Sequence, residues 1–184
     1  IQNTLSTEQG PLPAFDEELL TSEFYLFSHW LIEVHLKLTL TDEEQTAMNQ
    51  CFDALRVAFS EQPQVGVHRD YHSRNLMMLD NDVVGIIDFQ DAVIGPITYD
   101  LVSLLKDAYI HWPLEQVDSW AEGYSELAIQ SGLMPQEDET RFQRWFDLMG
   151  VQRHLKAAGI FCRLSLGVVE VSGNGNHRLV NGFP

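Results

Sequence analysis

From Phe15 onward, Leu20, Phe24, Phe27, Leu31, Val34 and Leu38 recur every three or four positions, which predicts one buried face on a helix opening at Phe15-Asp16-Glu17-Glu18-Leu19. Thr41-Asp42-Glu43-Glu44 is a capping box, in which the threonine hydroxyl and the glutamate three residues on satisfy free amide donors, so a second helix is expected from about Asp42 to Phe59. Pro63 ends it. Between Gln64 and Asp91 the period becomes that of extended chain. Val65-Gly66-Val67, Leu76-Met77-Met78-Leu79 and Val83-Val84-Gly85-Ile86-Ile87 are strand-sized runs, the last two separated by the turn-forming Asp80-Asn81-Asp82. After Gly95-Pro96 the helical period returns, from Ile97 to Tyr109, from Pro113 to Gln130 with a stop at Ser131-Gly132, and from Pro135 to about Leu166. The pattern predicts a mainly α chain with a small β-hairpin sheet, an α+β class. Residues 1–14 read as a linker or tail, 15–166 as the folded lobe, and the Asn/Gly-rich 167–184 as a flexible or divergent tail.

Composition narrows the partners. The 184 residues carry 27 acidic and 11 basic side chains, a formal charge of −16, which argues against a nucleic-acid or anionic-membrane surface. A hydrophobic share of 45% with 12 Gly and 7 Pro is that of a globular chain and excludes collagen, mucin and wholesale disorder. No apolar run approaches the roughly 18 residues of a spanning helix. Cys51 and Cys162 lie far apart without a pairing pattern and read as buried thiols in a reducing compartment, so a cytoplasmic protein is expected. The chain opens at Ile1, which leaves a processed or omitted upstream segment open.

The chemistry concentrates in His68-Arg69-Asp70-Tyr71-His72-Ser73-Arg74-Asn75, followed thirteen residues later by Asp88-Phe89-Gln90. An aspartate and an asparagine five apart, with a second aspartate beyond a hairpin, can converge from two loops on one point. Phosphoryl transfer has that need: a carboxylate beside the attacking hydroxyl, and oxygen ligands for the magnesium that neutralises the phosphates. A lone His-Arg-Asp is a weak signal and an Asp-Phe in a turn a weaker one; their joint occurrence between flanking helices is the strong observation.

These residues resemble the catalytic loop and metal aspartate of the protein-kinase-like fold, in the form used by the aminoglycoside phosphotransferase superfamily: His-x-Asp-x-x-x-x-Asn, then Ile-Asp-Phe. The resemblance implies the C-terminal lobe of that fold, with a catalytic loop at 67–79 and a metal loop at 86–92. It implies that Asp70 orients the acceptor hydroxyl and takes its proton, that Asn75 and Asp88 hold Mg2+, and that His68 and Arg69 brace the loop. Gly95-Pro96-Ile97-Thr98-Tyr99-Asp100-Leu101 matches the segment that follows, and by that match Asp100 anchors the catalytic loop. The stretches Val67 to Met77, Ile87 to Ala92, Gly95 to Leu105, Gln152 to Lys156 and Gly159-Ile160-Phe161 are similar to the bacterial anomeric sugar kinases that phosphorylate N-acetylmuramate and N-acetylglucosamine in cell-wall recycling. That similarity runs from about Phe15 to Leu166, and it implies a sugar acceptor with ATP as co-substrate. An anomeric hydroxyl is more acidic than an ordinary sugar hydroxyl, so an aspartate of low basicity suffices.

Gln90 and Asp91 follow the metal aspartate and are candidate sugar contacts, although Asp91 can equally cap the next turn. Arg153 and His154 lie where this superfamily walls its acceptor pocket; a solvent-facing arginine and a satisfied core histidine are the commoner outcomes. Trp30, Trp112, Trp120 and Trp145 read first as packing and second as a sugar platform. Asp16-Glu17-Glu18, Asp42-Glu43-Glu44 and Glu137-Asp138-Glu139 complement helix dipoles at first turns. A glycine-rich loop and a strand lysine are missing: Gly10 is the one glycine before Gly66, and the lysines are Lys37, Lys106 and Lys156. An N-terminal lobe is therefore expected to be needed for full nucleotide binding, and the isolated chain to turn over little or not at all. Two other readings stay open, a phosphotransferase for a cationic acceptor such as an aminoglycoside or choline, and a non-catalytic pseudokinase binding module.

Overall fold

The computed structural model describes residues 2–7, 10–170 and 177–179. In chain order the elements are β1 (Ser6–Thr7), β2 (Gly10–Pro11), α1 (Glu17–Tyr25), a π-helical run Leu26–His35, α2 (Asp42–Ser60), β3 (Gln64–Val67), β4 (Leu76–Met78), β5 (Val84–Ile86), β6 (Val93–Pro96), α3 (Tyr99–Leu105), α4 (Leu114–Gln130), α5 (Glu139–Ser165), β7 (Val168–Glu170) and β8 (His177–Leu179). Helices with small antiparallel two-stranded sheets bear out the α+β class. The chain divides into two compact units, residues 1–16 with 53–153, and residues 17–52 with 154–184.

The first unit holds every residue of the His68–Asp91 stretch. Its core gathers Phe15, Leu55, Phe59, Val67, Ile97, Tyr99, Val102, Ala121, Phe142, Trp145 and Phe146, all buried, and each large apolar side chain so placed contributes about 1.5–3 kcal/mol. Phe15 packs on Phe59 at 4.8 Å and on Tyr99 at 5.4 Å between ring centroids. Trp145 is core, as the packing reading expected, and Trp112 meets Trp120 edge-on at 5.2 Å.

From Gln64 to Asp91 one hairpin-like sheet was expected; two separate pairs form between Gln64 and Pro96. β4 and β5 make the anticipated hairpin, with Met77 opposite Gly85. Its turn works because Asn81 (φ 65°) and Asp82 (φ 58°) take the left-handed conformation that short polar side chains tolerate. β3 pairs instead with β6, Val67 opposite Val93 and Gln64 opposite Pro96. Four residues ending in Gly-Pro carry little strand signal, but Pro96 ends the strand, where a missing N–H costs least. The segment expected as linker packs against this pair: Ile94 N–H donates to Pro13 O and Phe15 N–H to Ile94 O, each at 2.7 Å.

The capping box at α2 is formed, with Thr41 N–H donating to Glu44 Oε2 at 2.9 Å and Glu44 N–H to Thr41 Oγ1 at 3.3 Å. α4 stops where expected: Gly132 (φ 74°) sits just past its end, Gly132 N–H donates to Ile129 O and Leu133 N–H to Ala128 O, the two bonds of a Schellman closure. The helix expected over Ile97 to Tyr109 is the shorter α3, because Lys106 (φ −111°, ψ 39°) leaves helical geometry and releases Asp107 from the helix.

In the second unit the expected buried face from Leu20 to Leu38 survives only through Phe24. Leu20 and Phe24 are buried and Phe24 stacks on Phe52 at 4.4 Å, whereas no residue of Leu26–His35 is buried and Leu38 is exposed. Leu36 N–H bonds back to Leu31 O, five residues earlier. That wider winding takes residues three and four apart off a common line, which the 3.6-residue period assumes. Gly159 lies against this run: a Cβ there would stand 2.3 Å from the backbone carbonyl carbon and oxygen of Leu26. Lys156 and Glu23 form a buried ion pair at 2.6 Å. Of the 167–184 stretch, Gly167 is left-handed at φ 70° and Val168–Glu170 pairs with His177–Leu179, and the expectation for 171–176 and 180–184 lies outside the described residues. Cys51 is exposed and Cys162 half-buried, so neither is the fully buried thiol anticipated.

Candidate active site

β3 delivers the chain to Val67, and the next two amides are captured by one carboxylate. His68 N–H donates to Asp100 Oδ2 at 2.7 Å and Arg69 N–H to Asp100 Oδ1 at 3.1 Å. The chain turns sharply here, with Arg69 at φ 75°, and a carboxylate with two acceptor oxygens is suited to a turn that frees consecutive backbone donors. Asp100 stands in the first turn of α3 and is only 5% exposed. Burial raises its pKa above the ordinary carboxylate value, against the opposing pull of the two backbone hydrogen bonds and the charges of His68 and Arg153.

His68, 1% exposed, joins the two loops. Its Nε2 lies 3.0 Å from Ile87 O, so that nitrogen carries the proton, since a carbonyl oxygen only accepts. The backbone adds a second tie, Ile87 N–H to Asn75 O at 3.1 Å. The Asn75 side chain closes the first loop on itself, its Nδ2 donating to Asp70 O at 2.9 Å. Asp70 and Asn75 are thereby held in one turn, and Asp88 follows directly on the residue bonded to both His68 and Asn75. Asp88 is exposed and left-handed at φ 67°; its Oδ1 accepts Gln90 Nε2 at 2.7 Å.

The donor set suits a hard divalent cation. With Nδ2 committed to the Asp70 carbonyl, Asn75 presents its amide oxygen, and Asp88 keeps a carboxylate oxygen beyond the one Gln90 engages. Among the described residues no group of three or more His, Cys, Asp or Glu side chains is arranged to hold a metal. Two side-chain ligands with phosphates and water completing the shell is how magnesium is usually held.

Gln90 is turned onto Asp88, Asp91 is exposed beside the turn closed by Ala92 N–H to Phe89 O at 3.2 Å, and Arg153 packs against Tyr99, its guanidinium carbon 4.5 Å from the ring centroid. His154 is an exposed residue of the second unit.

Sequence reasoning missed a second anchor. Asp107 Oδ2 accepts Ser73 N–H at 3.2 Å and Ser73 Oγ–H at 2.7 Å, while its Oδ1 accepts Tyr109 N–H at 3.0 Å. No helical period marks it, because Asp107 lies beyond the end of α3 and meets Ser73 only through the fold. Below the loop a cavity of about 320 Å³ is lined by Gln2, Tyr71, Ile86, Asp100, Leu104 and Tyr124 among others. Burial, with the nearby Asp100 charge, raises the phenol pKa of Tyr71, and burial raises that of Tyr124 further.

The family model described as Phosphotransferase enzyme family matches residues 4–142, three-quarters of the chain. The chain belongs to this family. It is similar to an N-acetylmuramate/N-acetylglucosamine kinase of Neisseria meningitidis serogroup B, 46% identical over 159 residues that make up 86% of this chain and 47% of that protein. The protein of the same name in Pseudomonas putida is 44% identical over 155 residues, 84% of this chain and 45% of that one. The chain thus spans about half the length of the curated relatives it matches. An ethanolamine kinase of Plasmodium vivax has the same fold at a TM-score of 0.53 and 15% identity, over 85% of this chain and 49% of that one. Family membership and that likeness bear out the resemblance and the kinase-like fold read from Asp70, Asn75 and Asp88. No helix among the described residues is long and apolar enough to cross a membrane.

Proposed function

We propose that this chain supplies the acceptor-binding and catalytic lobe of an ATP-dependent cytoplasmic kinase that phosphorylates the anomeric hydroxyl of N-acetylmuramate or N-acetylglucosamine. The observation that carries the reading is the bonded circuit His68–Ile87–Asn75–Asp70, which ties a carboxylate-bearing loop to the residue before a second carboxylate. The names of the relatives support the choice of acceptor.

In this reading Asp70 receives the acceptor hydroxyl, orients it by a hydrogen bond and takes its proton as the bond to phosphorus forms. Asn75 and Asp88 would hold the divalent ion, which would neutralise the phosphate oxygens of ATP. Asp100 and His68 touch no substrate; they fix where Asp70 and Asp88 stand. A glycine-rich loop and a strand lysine from an N-terminal lobe complete the nucleotide grip, and Gln90 and Asp91 face the sugar.

The test is an acceptor panel on the full-length protein with MgATP, read by 31P NMR. A phosphate on the anomeric carbon of either amino sugar is expected. Transfer to kanamycin or choline instead would move the acceptor to a cation, and no transfer to any acceptor, with the fold intact, would reject the enzyme reading.

A further inference from the structure

Phosphoryl transfer spreads negative charge over the equatorial oxygens of the moving group, and a chain of net charge −16 repels that charge unless a cation stands locally. Arg74 occupies the short 3-10 turn Ser73–Asn75, between Asp70 and Asn75. It is exposed, and among the described residues no carboxylate pairs with it; its guanidinium rests on the ring of Tyr109, 3.7 Å from the centroid. Arg153 and Arg69 of the same unit also lie over rings, those of Tyr99 and Phe15, and three further arginines pair with carboxylates. Arg56 meets Asp53 at 2.9 Å, Arg144 meets Glu61 at 3.2 Å and Arg141 meets Asp138 at 3.5 Å.

The support of Arg74 is built from both sides. Ser73 is clamped by Asp107 through its N–H and its hydroxyl. Asn75 is clamped through its own N–H to His72 O at 3.0 Å and through its side chain to Asp70 O. Tyr109 is fixed by its N–H to the other oxygen of Asp107, and the His72 ring meets it edge-on at 5.8 Å. A cation resting on an aromatic face keeps its charge and its rim N–H donors while its plane is restrained. The segment after α3 therefore seats the Arg74 guanidinium on the Tyr109 ring, with the Asp107 carboxylate engaged by Ser73 and Tyr109, in the turn that runs from Asp70 to Asn75.

We propose that Arg74 is a catalytic residue that contacts the transferred phosphoryl group, and that Tyr109 is its positioning residue. This rests on the kinase reading above. As the acceptor oxygen bonds to the γ-phosphorus, the bond from that phosphorus to the β,γ-bridging oxygen breaks and ADP leaves with its electron pair. The acceptor proton passes to Asp70, and the Arg74 guanidinium stabilises the equatorial oxygens.

The test uses the full-length protein as wild type, Arg74→Ala, Arg74→Lys, Tyr109→Leu and Tyr109→Phe. Steady-state kinetics with MgATP and the preferred acceptor are paired with titrations by MgADP alone and by MgADP with aluminium fluoride, a mimic of the moving phosphoryl group. Arg74→Ala is expected to lower kcat by about 10²–10³-fold, the usual effect of losing one donor to a developing charge, with both KM values changed by less than about threefold, the pattern for an interaction made only in the transition state. MgADP affinity is unchanged in Arg74→Ala, while the tightening caused by aluminium fluoride disappears. Arg74→Lys recovers part of kcat as a point charge. Tyr109→Leu lowers kcat about 2–5-fold, the scale of an exposed cation–π contact, and Tyr109→Phe, which keeps the ring, stays near wild type. Wild-type kcat in Arg74→Ala with fluoride tightening intact overturns the proposal. Should Arg74→Ala fail to fold, a wild-type kcat in both Arg74→Lys and Tyr109→Leu overturns it equally. Wild-type protein that transfers phosphate to nothing and shows no fluoride tightening fails the kinase reading itself, a different result from an active enzyme indifferent to position 74.

Discussion

Replacing Asp100 by Asn isolates what the buried carboxylate does. In the wild type each of its oxygens accepts one backbone N–H, from His68 at 2.7 Å and from Arg69 at 3.1 Å. An amide offers one oxygen and one NH2 in the same space, so one of those N–H groups faces another donor. Leaving a buried donor unsatisfied costs about 1–3 kcal/mol, which lowers Tm by roughly 2–4 °C per kcal/mol in a chain of this size. The loop that shifts to relieve the clash carries Asp70, and a misplacement on the order of 1 Å costs about 10²-fold in rate. The expected phenotype is a modest stability loss with a large loss of kcat. The pH dependence has a definite sign. Burial is the largest influence on Asp100 and raises its folded pKa above 3.8, so the folded state holds the proton more tightly than the unfolded one. The stability Asp100 contributes is then fully present below about 3.8 and is lost as pH rises through the raised folded pKa. Asn cannot titrate. Urea unfolding of both proteins from pH 3.5 to 7 should therefore show wild-type stability falling relative to Asp100→Asn as pH rises. A difference that grows in favour of the wild type with pH would mean that the two hydrogen bonds outweigh burial, and unchanged kcat and Tm in the variant would refute the anchoring argument.

Asp70→Asn should abolish turnover, more than 10³-fold in kcat, with Tm within about 2 °C of wild type, because the main-chain carbonyl that Asn75 uses is retained; near-normal transfer would remove Asp70 from the acceptor side. Gly159→Ala places a methyl 2.3 Å from the Leu26 carbonyl and should cost about 1–3 kcal/mol by overpacking, read as a lowered urea midpoint. Lys156→Met removes the ammonium of the buried Lys156–Glu23 pair and should cost about 3–5 kcal/mol, whereas Glu23→Gln with Lys156→Met should recover much of it; equal midpoints for the single and double variants would show that the ion pair is not coupled.

The fold was legible wherever local chemistry decides structure. Thr41 with Glu44, Gly132 at φ 74° and the Asn81-Asp82 turn each act within four residues, and each stands where the pattern places it. The β3–β6 pairing joins residues about thirty apart, and nothing local to Val93-Ile94-Gly95-Pro96 demands a partner. The π-helical run failed for a related reason, since the apolar spacing assumes the very winding that the backbone abandons after Tyr25. The site divides the same way. Asp70, Asn75 and Asp88 were visible because their types and spacing form a recognisable set, and Asp100 through the family resemblance of the segment that follows them. The bonds of Asp107 to Ser73 and Tyr109, and the stacking of Arg74 on Tyr109, were not, because each joins residues that only folding brings together.

Two strained residues show why the supports are distributed as they are. Arg69 at φ 75° and Asp88 at φ 67° are non-glycine residues in left-handed backbone, which costs the long Arg69 side chain about 1–2 kcal/mol and the short polar Asp88 less. One immediately precedes Asp70 and the other is the second carboxylate itself. Each sits beside a hydrogen bond that a relaxed backbone would break: Asp100 holds the Arg69 amide, and His68 holds the Ile87 carbonyl. His68 belongs to both constraints, its amide on Asp100 and its ring on Ile87, so neither loop can relax without loosening the other. The buried charge of Asp100 is unfavourable taken alone, yet its two oxygens match the two donors the turn exposes. A glycine at 69 would ease the turn but would also widen the conformations open to Asp70. The sequence instead keeps strain at the two points where side-chain direction matters and opposes it with bonds from one buried aspartate and one buried histidine.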